Sequence, residues 1–272
     1  MFSYALMIIF AIGMYWANRQ YKTKGVAWGR PVAGLCGVLA LVMALSRILY
    51  DLTGCEKDKR QDAILDKELR YTDAQFQYLG DYMKRKFANH TVLLIASPKI
   101  AGSNEYADDR LDTIKSALKE AFDGRLTISR TVHLESPEGQ DGMPPMFETM
   151  FTAEAFNDIV TDNSEATLIL SLVGLPMNWK EMEFWLMEDA KRPKLVLTNG
   201  QVYELYDPII QGYVNAVVHY NPSSEYNFQD NVPSDVTEAF KKRYLLIDAD
   251  NIAKIASENE GMFAPSPESR PG

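Results

Sequence analysis

Three histidines, two cysteines and a surplus of carboxylates are the residues with which this 272-residue chain could do chemistry. His90, His133 and His219 fall at or near the ends of three separate strand-like runs. No cysteine or carboxylate stands at a spacing that would complete a metal set or a proton-transfer pair with them. Cys36 and Cys55 lie within and just beyond an apolar stretch, and these spacings make no zinc motif. Asp248, Asp250 and Asn251 resemble the opening of a calcium loop. The glycine and distal glutamate of such a loop do not follow, and a strand-to-helix turn is the other reading. No metal, cofactor or catalytic residue is therefore expected, and the chain does not read as an enzyme. Arg110 remains: it could bind an anion or a partner's carboxylate, or it could be a surface residue beside Asp108, Asp109 and Asp112.

The elements that must position these residues begin at a membrane. Pro31 to Tyr50 is about twenty residues of almost unbroken apolar sequence. At about 1.5 Å rise per residue it spans the roughly 30 Å hydrocarbon layer. Phe2 to Ala17 is a shorter apolar run, with Tyr15 and Trp16 as interfacial aromatics. A signal-anchor or cleaved signal is its alternative reading, although it lacks a basic n-region. The joining segment, Asn18 to Arg30, carries four basic residues, which favours the cytoplasm. The expectation is a two-helix hairpin, residues 1–50, in the cytoplasmic membrane, with the remainder on the periplasmic or extracellular side. Lys57, Lys59 and Arg60 oppose that orientation. Ala33, Gly37, Ala40 and Ala44 form a small-residue stripe suited to close helix packing in lipid, or simply reflect the frequency of Gly and Ala in such helices. Leu52-Thr53-Gly54-Cys55 has the look of a lipid-attachment signal, with Arg47 and Asp51 intruding, and Asn89-His90-Thr91 matches a glycosylation acceptor.

Charge divides the chain. Of 28 basic and 37 acidic residues, residues 1–50 hold five of the former and none of the latter. The remainder therefore carries a balance of −14, which repels phosphate backbones and excludes nucleic acid as a partner. Residues 51–90 read as an amphipathic helical linker. From 91 to 258 strand-like and helix-like segments alternate, starting with the continuous apolar run TVLLIA at Thr91–Ala96. That alternation predicts an α/β, Rossmann-like domain with a mostly parallel sheet of five to six strands flanked by helices. Helices are expected at Trp179–Ala190 and Val202–Gln211, and a flexible tail at 259–272. The aromatic and methionine-rich stretch at Met177–Met187 has an outward half that could dock a partner, and the Gly139–Met146 loop is a second candidate contact.

The stretch KLVLTNG, a short helix, then IIQGYVNAVVHYNP resembles the C-terminal lobe of type 1 periplasmic sugar-binding proteins, with Gly212, Ala216 and Pro222 at the family's positions. TVLLIASP with ADDRLDTIKSALKEAF, and YLLIDADNI, extend the likeness over residues 91–255. The resemblance implies a ligand site that includes Arg110, Asn199 and Tyr220. It departs from the family where Asn199 replaces an aspartate, Tyr220 a glutamine, and Val173-Gly174 an Asn-Asp pair. Residues 51–90 are too few to build the other lobe, and one lobe offers one wall of a cleft. The expectation is a membrane-anchored, non-enzymatic interaction subunit of the cell envelope, whose partners are membrane lipid and other membrane or periplasmic proteins. The alternative is a tethered solute-binding or sensory module for a sugar-like small molecule, completed by dimerisation.

Overall fold

The computed structural model describes residues 2–52, 55–99, 105–135, 151–198, 202–224, 227 and 230–264. The chain divides into two compact units, Met1–Leu65 and Asp66–Gly272.

The first unit holds α1 (Phe2–Lys24), α2 (Gly29–Leu52) and the start of α3 (Cys55–Lys86). α1 ends where Gly25 takes φ +63, a left-handed conformation that glycine adopts without penalty at a helix C-terminus. The chain then reverses and α2 packs along α1. Glycine makes the approach possible: a Cβ on Gly29 would lie 2.7 Å from the Ala17 carbonyl oxygen. Further along, Gly37 lies against Met14 and Gly13 against Cys36. Ala33, Gly37, Ala40 and Ala44 are half-buried, whereas Leu35, Val38, Leu41, Val42 and Leu45 are exposed. The helical hairpin is present, but among the described residues one stretch alone, Gly29–Ser46, is long and apolar enough to cross a membrane. The last two turns of α1 carry Asn18, Arg19, Gln20, Lys22 and Lys24. Thr53 and Gly54 of the lipid-attachment-like run lie outside the described residues.

The second unit is a six-stranded sheet of order β2-β1-β3-β4-β5-β6. Its strands are β1 (Thr91–Ala96), β2 (Thr127–His133), β3 (Leu168–Ser171), β4 (Lys194–Thr198), β5 (Ala216–Tyr220) and β6 (Tyr244–Ile247). The first five run parallel and β6 pairs antiparallel with β5. β1, β3 and β4 are buried along almost their whole length, as unbroken apolar runs require when both faces are covered.

One face is covered by α3, α4 (Glu105–Phe122) and α7 (Val236–Arg243). The other is covered by α5 (Ala153–Asp162), a pair of 3₁₀ turns, α6 (Tyr206–Ile210) and α8 (Ile252–Glu258). The segment read as a linker thus contributes to the core: Tyr71, Phe76, Leu79 and Met83 of α3 are buried on the sheet. Tyr78 stacks on Phe240 with centroids 4.0 Å apart.

Two expected helices are corrected. Trp179–Ala190 is two 3₁₀ turns, Trp179–Glu181 and Glu183–Leu186, broken at Met182. Its buried residues, Met182 and Phe184, are two apart rather than three or four, so a helix would turn one of them outward. Val202–Gln211 is helical over Tyr206–Ile210 alone, after a turn in which Glu204 takes φ +61. The expected tail is ordered at its start, where Met262 and Phe263 pack on the core and Glu204 N–H donates to the Phe263 carbonyl. Residues 265–272 and the Gly139–Met146 loop lie outside the described residues.

α3 crosses α4 at Gly80, where a Cβ would stand 2.6 Å from the Ala121 Cβ. Gly80→Ala and Ala121→Gly should each destabilise the domain. The double variant should be more stable than the sum of the two by about 1–3 kcal/mol, because the second change vacates the space the first needs. Chemical denaturation of the four proteins checks this, and strict additivity would refute the close crossing.

Candidate functional site

In an open α/β sheet, ligands lie beyond the carboxyl ends of the strands, where the strand order reverses. Here that point is β1 and β3, whose connections leave to opposite faces. The polar groups at the centre are spent internally. The buried Ser171 hydroxyl donates to the Gly174 carbonyl at 2.6 Å, and Gly174 takes φ +77. His133 Nδ1 lies 2.8 Å from the Ser97 carbonyl oxygen, tying the ends of β2 and β1 together.

A second polar cluster lies on the α3–α4–α7 side of the same edge. Arg243, the last residue of α7, is the hub. Its Nη2 donates to Glu68 Oε2 of α3 at 2.6 Å. Its guanidinium lies over the rings of Tyr71 at 5.0 Å, and of Tyr220 and Tyr244 at 5.7 Å each. Tyr220 and Tyr244 are register partners across β5 and β6, with centroids 5.6 Å apart. Burial works against the Arg243 charge, but the hydrogen bond to the Glu68 carboxylate and the electrostatics of Tyr244, Glu68 and Tyr220 raise its pKa further above its ordinary value. Such a cation is held permanently protonated, and it fixes α3 to the start of β6.

Arg110 stands on the second turn of α4, half-buried. It makes no hydrogen bond or ion pair with any described residue. Asp108, Asp109 and Asp112 do not pair with it, because helix positions one or two apart do not face each other. Arg110 instead shares an electrostatic neighbourhood with Tyr106, Tyr220, Arg243 and Glu68. Burial pushes the Tyr106 phenol up, with Glu68 adding to the rise and Arg110 and Arg243 opposing it. Burial likewise pushes the Tyr244 phenol up. Tyr220 closes the cluster at the surface, 51% exposed.

Arg110 and Tyr220 are therefore brought to one edge, while Asn199 lies outside the described residues. Glu68, Tyr71, Tyr106, Arg243 and Tyr244 were missed by the sequence reading. Their one local signal is the Arg243-Tyr244 step between a helix and a strand. His90 sits at the opposite end of the sheet, against Phe87 and Thr167, and the three histidines do not converge. Asp248 is a structural group: it accepts from the Tyr82 hydroxyl at 3.0 Å and from the backbone N–H groups of Asp250 and Asn251. Among the described residues no cluster of His, Cys, Asp and Glu could hold a metal ion.

What the edge can do is bind. A guanidinium without a carboxylate partner among the described residues, in the electrostatic neighbourhood of two phenols, suits a carboxylate or another planar anion.

No protein-family model matches the sequence, and no curated protein matches it. Among solved structures the chain is similar to a periplasmic ribose ABC transporter from Conexibacter woesei DSM 14684, with TM-score 0.42 and 12% identity over 67% of this chain and 60% of that one. It is similar to a myo-inositol binding protein of Caulobacter bound to myo-inositol, with TM-score 0.42 and 14% identity over 67% and 60%. It is also similar to AraP, an arabinose binding protein from Geobacillus stearothermophilus, with TM-score 0.40 and 12% identity over 68% and 62%. The chain spans about three fifths of the length of each.

The raised phenols set an alkaline limit. Tyr82 is pushed up by burial first, then by the charge and hydrogen bond of Asp248. In the unfolded chain a tyrosine ionises near pH 10. The stability that Tyr82 and Tyr244 contribute is therefore complete below about pH 10 and is lost as pH rises toward their higher folded values. Unfolding free energy should fall above about pH 10. Tyr82→Phe should flatten that fall and lower neutral-pH stability by about 1–3 kcal/mol for the lost hydrogen bond to a carboxylate. Urea titrations at several pH values check both, and an equal alkaline slope in the variant would contradict the assignment.

Proposed function

We propose that this chain is a membrane-anchored, non-enzymatic interaction subunit. The hairpin of α1 and α2 would hold the α/β domain at the outer face of the cytoplasmic membrane, within a larger complex. The apolar stretch Gly29–Ser46, the exposed Leu35, Val38, Leu41, Val42 and Leu45, and the basic turn between the helices support the anchoring part. The observation that carries the interaction part is Arg110: a half-buried cation without an ion-pair partner among the described residues, in the electrostatic neighbourhood of Tyr244, whose register partner Tyr220 is exposed. Arg and Tyr are the residues on which interfaces concentrate their binding energy. The full chain, extracted in mild detergent, should co-elute with a partner. Arg110→Ala should release that partner without changing the melting temperature. A chain that elutes alone would refute the proposal. Protease added to intact cells should remove the domain if it lies outside.

The same residue supports a second reading, a tethered binding module for a sugar-like solute whose cleft is completed by a second copy. Pentoses, hexoses and purine-related compounds would then raise the melting temperature, and Arg110→Ala would abolish the rise. No shift with any of these ligands leaves the first reading standing.

A further inference from the structure

The connection from β3 to β4 lies on the other face of the sheet from Arg110 and has no role in the reading above. It is a rigid apolar platform. Trp179 and Trp185 meet edge to face at 5.6 Å, Trp185 meets Phe184 at 5.2 Å and Tyr213 at 5.8 Å, and Trp185 Nε1 donates to the Trp179 carbonyl at 2.6 Å. Phe184 and Met182 anchor it in the core. Asn157 Oδ1 accepts from the Glu183 N–H and Asn178 Oδ1 from the Ala153 N–H, so two side-chain bonds lock the turns to α5. On this support Leu186 is 85% exposed and Met177 66%. A single exposed leucine is ordinary, but two large apolar side chains beside a half-exposed tryptophan pair, held on a fixed backbone, lose little entropy when covered.

Charge decides what covers them. Three cations of the connection already have a carboxylate. Lys180 pairs with Glu204 at 2.7 Å and Lys191 with Glu188 at 2.9 Å. Arg192 pairs with Asp189 and lies over the Tyr213 ring at 4.3 Å. Glu181 and Glu183 are exposed, and neither has a cation partner among the described residues. Glu181 and Glu183 thus leave negative charge on the connection that carries Leu186 and Met177, in a portion of the chain whose balance is −14. An anionic lipid surface is repelled by that charge, whereas a peptide with lysines or arginines flanking an apolar anchor is complemented by it.

We propose that the β3–β4 connection docks a basic, apolar-anchored segment of a partner protein. The proposal rests on the reading of the chain as an interaction subunit, but it uses a separate surface from Arg110. The test uses the full chain in its native membrane, with a benzophenone amino acid replacing Leu186 and, as control, replacing the exposed Ser116 of α4. Mass spectrometry of the adduct at 186 should identify a peptide of net positive charge carrying large apolar residues. Glu181→Gln with Glu183→Gln should lower the yield at least about threefold, as loss of charge complementarity at a rim does. Arg110→Ala should leave it unchanged, which separates a failure here from a failure at the Arg110 edge. A yield at 186 no higher than at 116 would overturn the proposal. So would adducts to lipid, to an acidic peptide or to a second copy of this chain, a yield indifferent to the two glutamates, or its loss in Arg110→Ala.

Discussion

A parallel sheet buries its strands only if both faces are covered, and on one face of this sheet the covering depends on α3. β1, β3 and β4 present apolar side chains alternately to the two faces. α4 and α7 flank the first face, and between them Tyr71, Phe76, Leu79 and Met83 of α3 close it. The closure is tight enough that Gly80 has no room for a methyl group against Ala121. Each of these large side chains, moved from water to the core, stabilises by about 1.5–3 kcal/mol. Without α3 the first face would lose its central cover. Calling residues from Asp66 onward a linker therefore misplaces a core element.

The same helix determines the carboxyl edge. Glu68 lies on its first turns within the domain, and its carboxylate meets Arg243 where α7 gives way to β6. A half-buried guanidinium is tolerable because Glu68 and three aromatic rings surround it, and removing one partner from such a group costs more than the pair contributes.

Strands and the α4 period could be read from the sequence because they depend on neighbours within a few residues. TVLLIA and ATLILSLV are apolar runs, and Leu111, Ile114, Leu118 and Phe122 repeat with the helix. The role of α3 could not. Its composition is charged enough to suggest a solvated helix, and its stripe of Tyr71, Phe76, Leu79 and Met83 becomes core only when a sheet is present to receive it. Arg110 and Tyr220 were legible as candidates through family resemblance. The residues that complete their cluster were not, since Glu68, Tyr106 and Arg243 come from three separate helices. The 3₁₀ turns at 179–186 were misread for a different reason. A dense run of Trp, Phe, Met and Leu suits a buried helix, yet the spacing of Met182 and Phe184 and the side-chain bonds from Asn157 and Asn178 favour a tighter, irregular path.

Net charge alone would assign this domain one electrostatic character, and the structure gives it two. At the carboxyl edge Arg110 and Arg243 both act on Tyr106 and Tyr244, and Glu68 pairs with Arg243. On the opposite face Lys180, Lys191 and Arg192 are each paired with a carboxylate, and Glu181 and Glu183 have no cation partner among the described residues. Screening at physiological ionic strength acts over about 8 Å, so surfaces on opposite faces of a sheet present their fields almost independently. On the proposed reading, an acidic group on one side of the sheet and a basic one on the other could each meet its own field without the two cancelling.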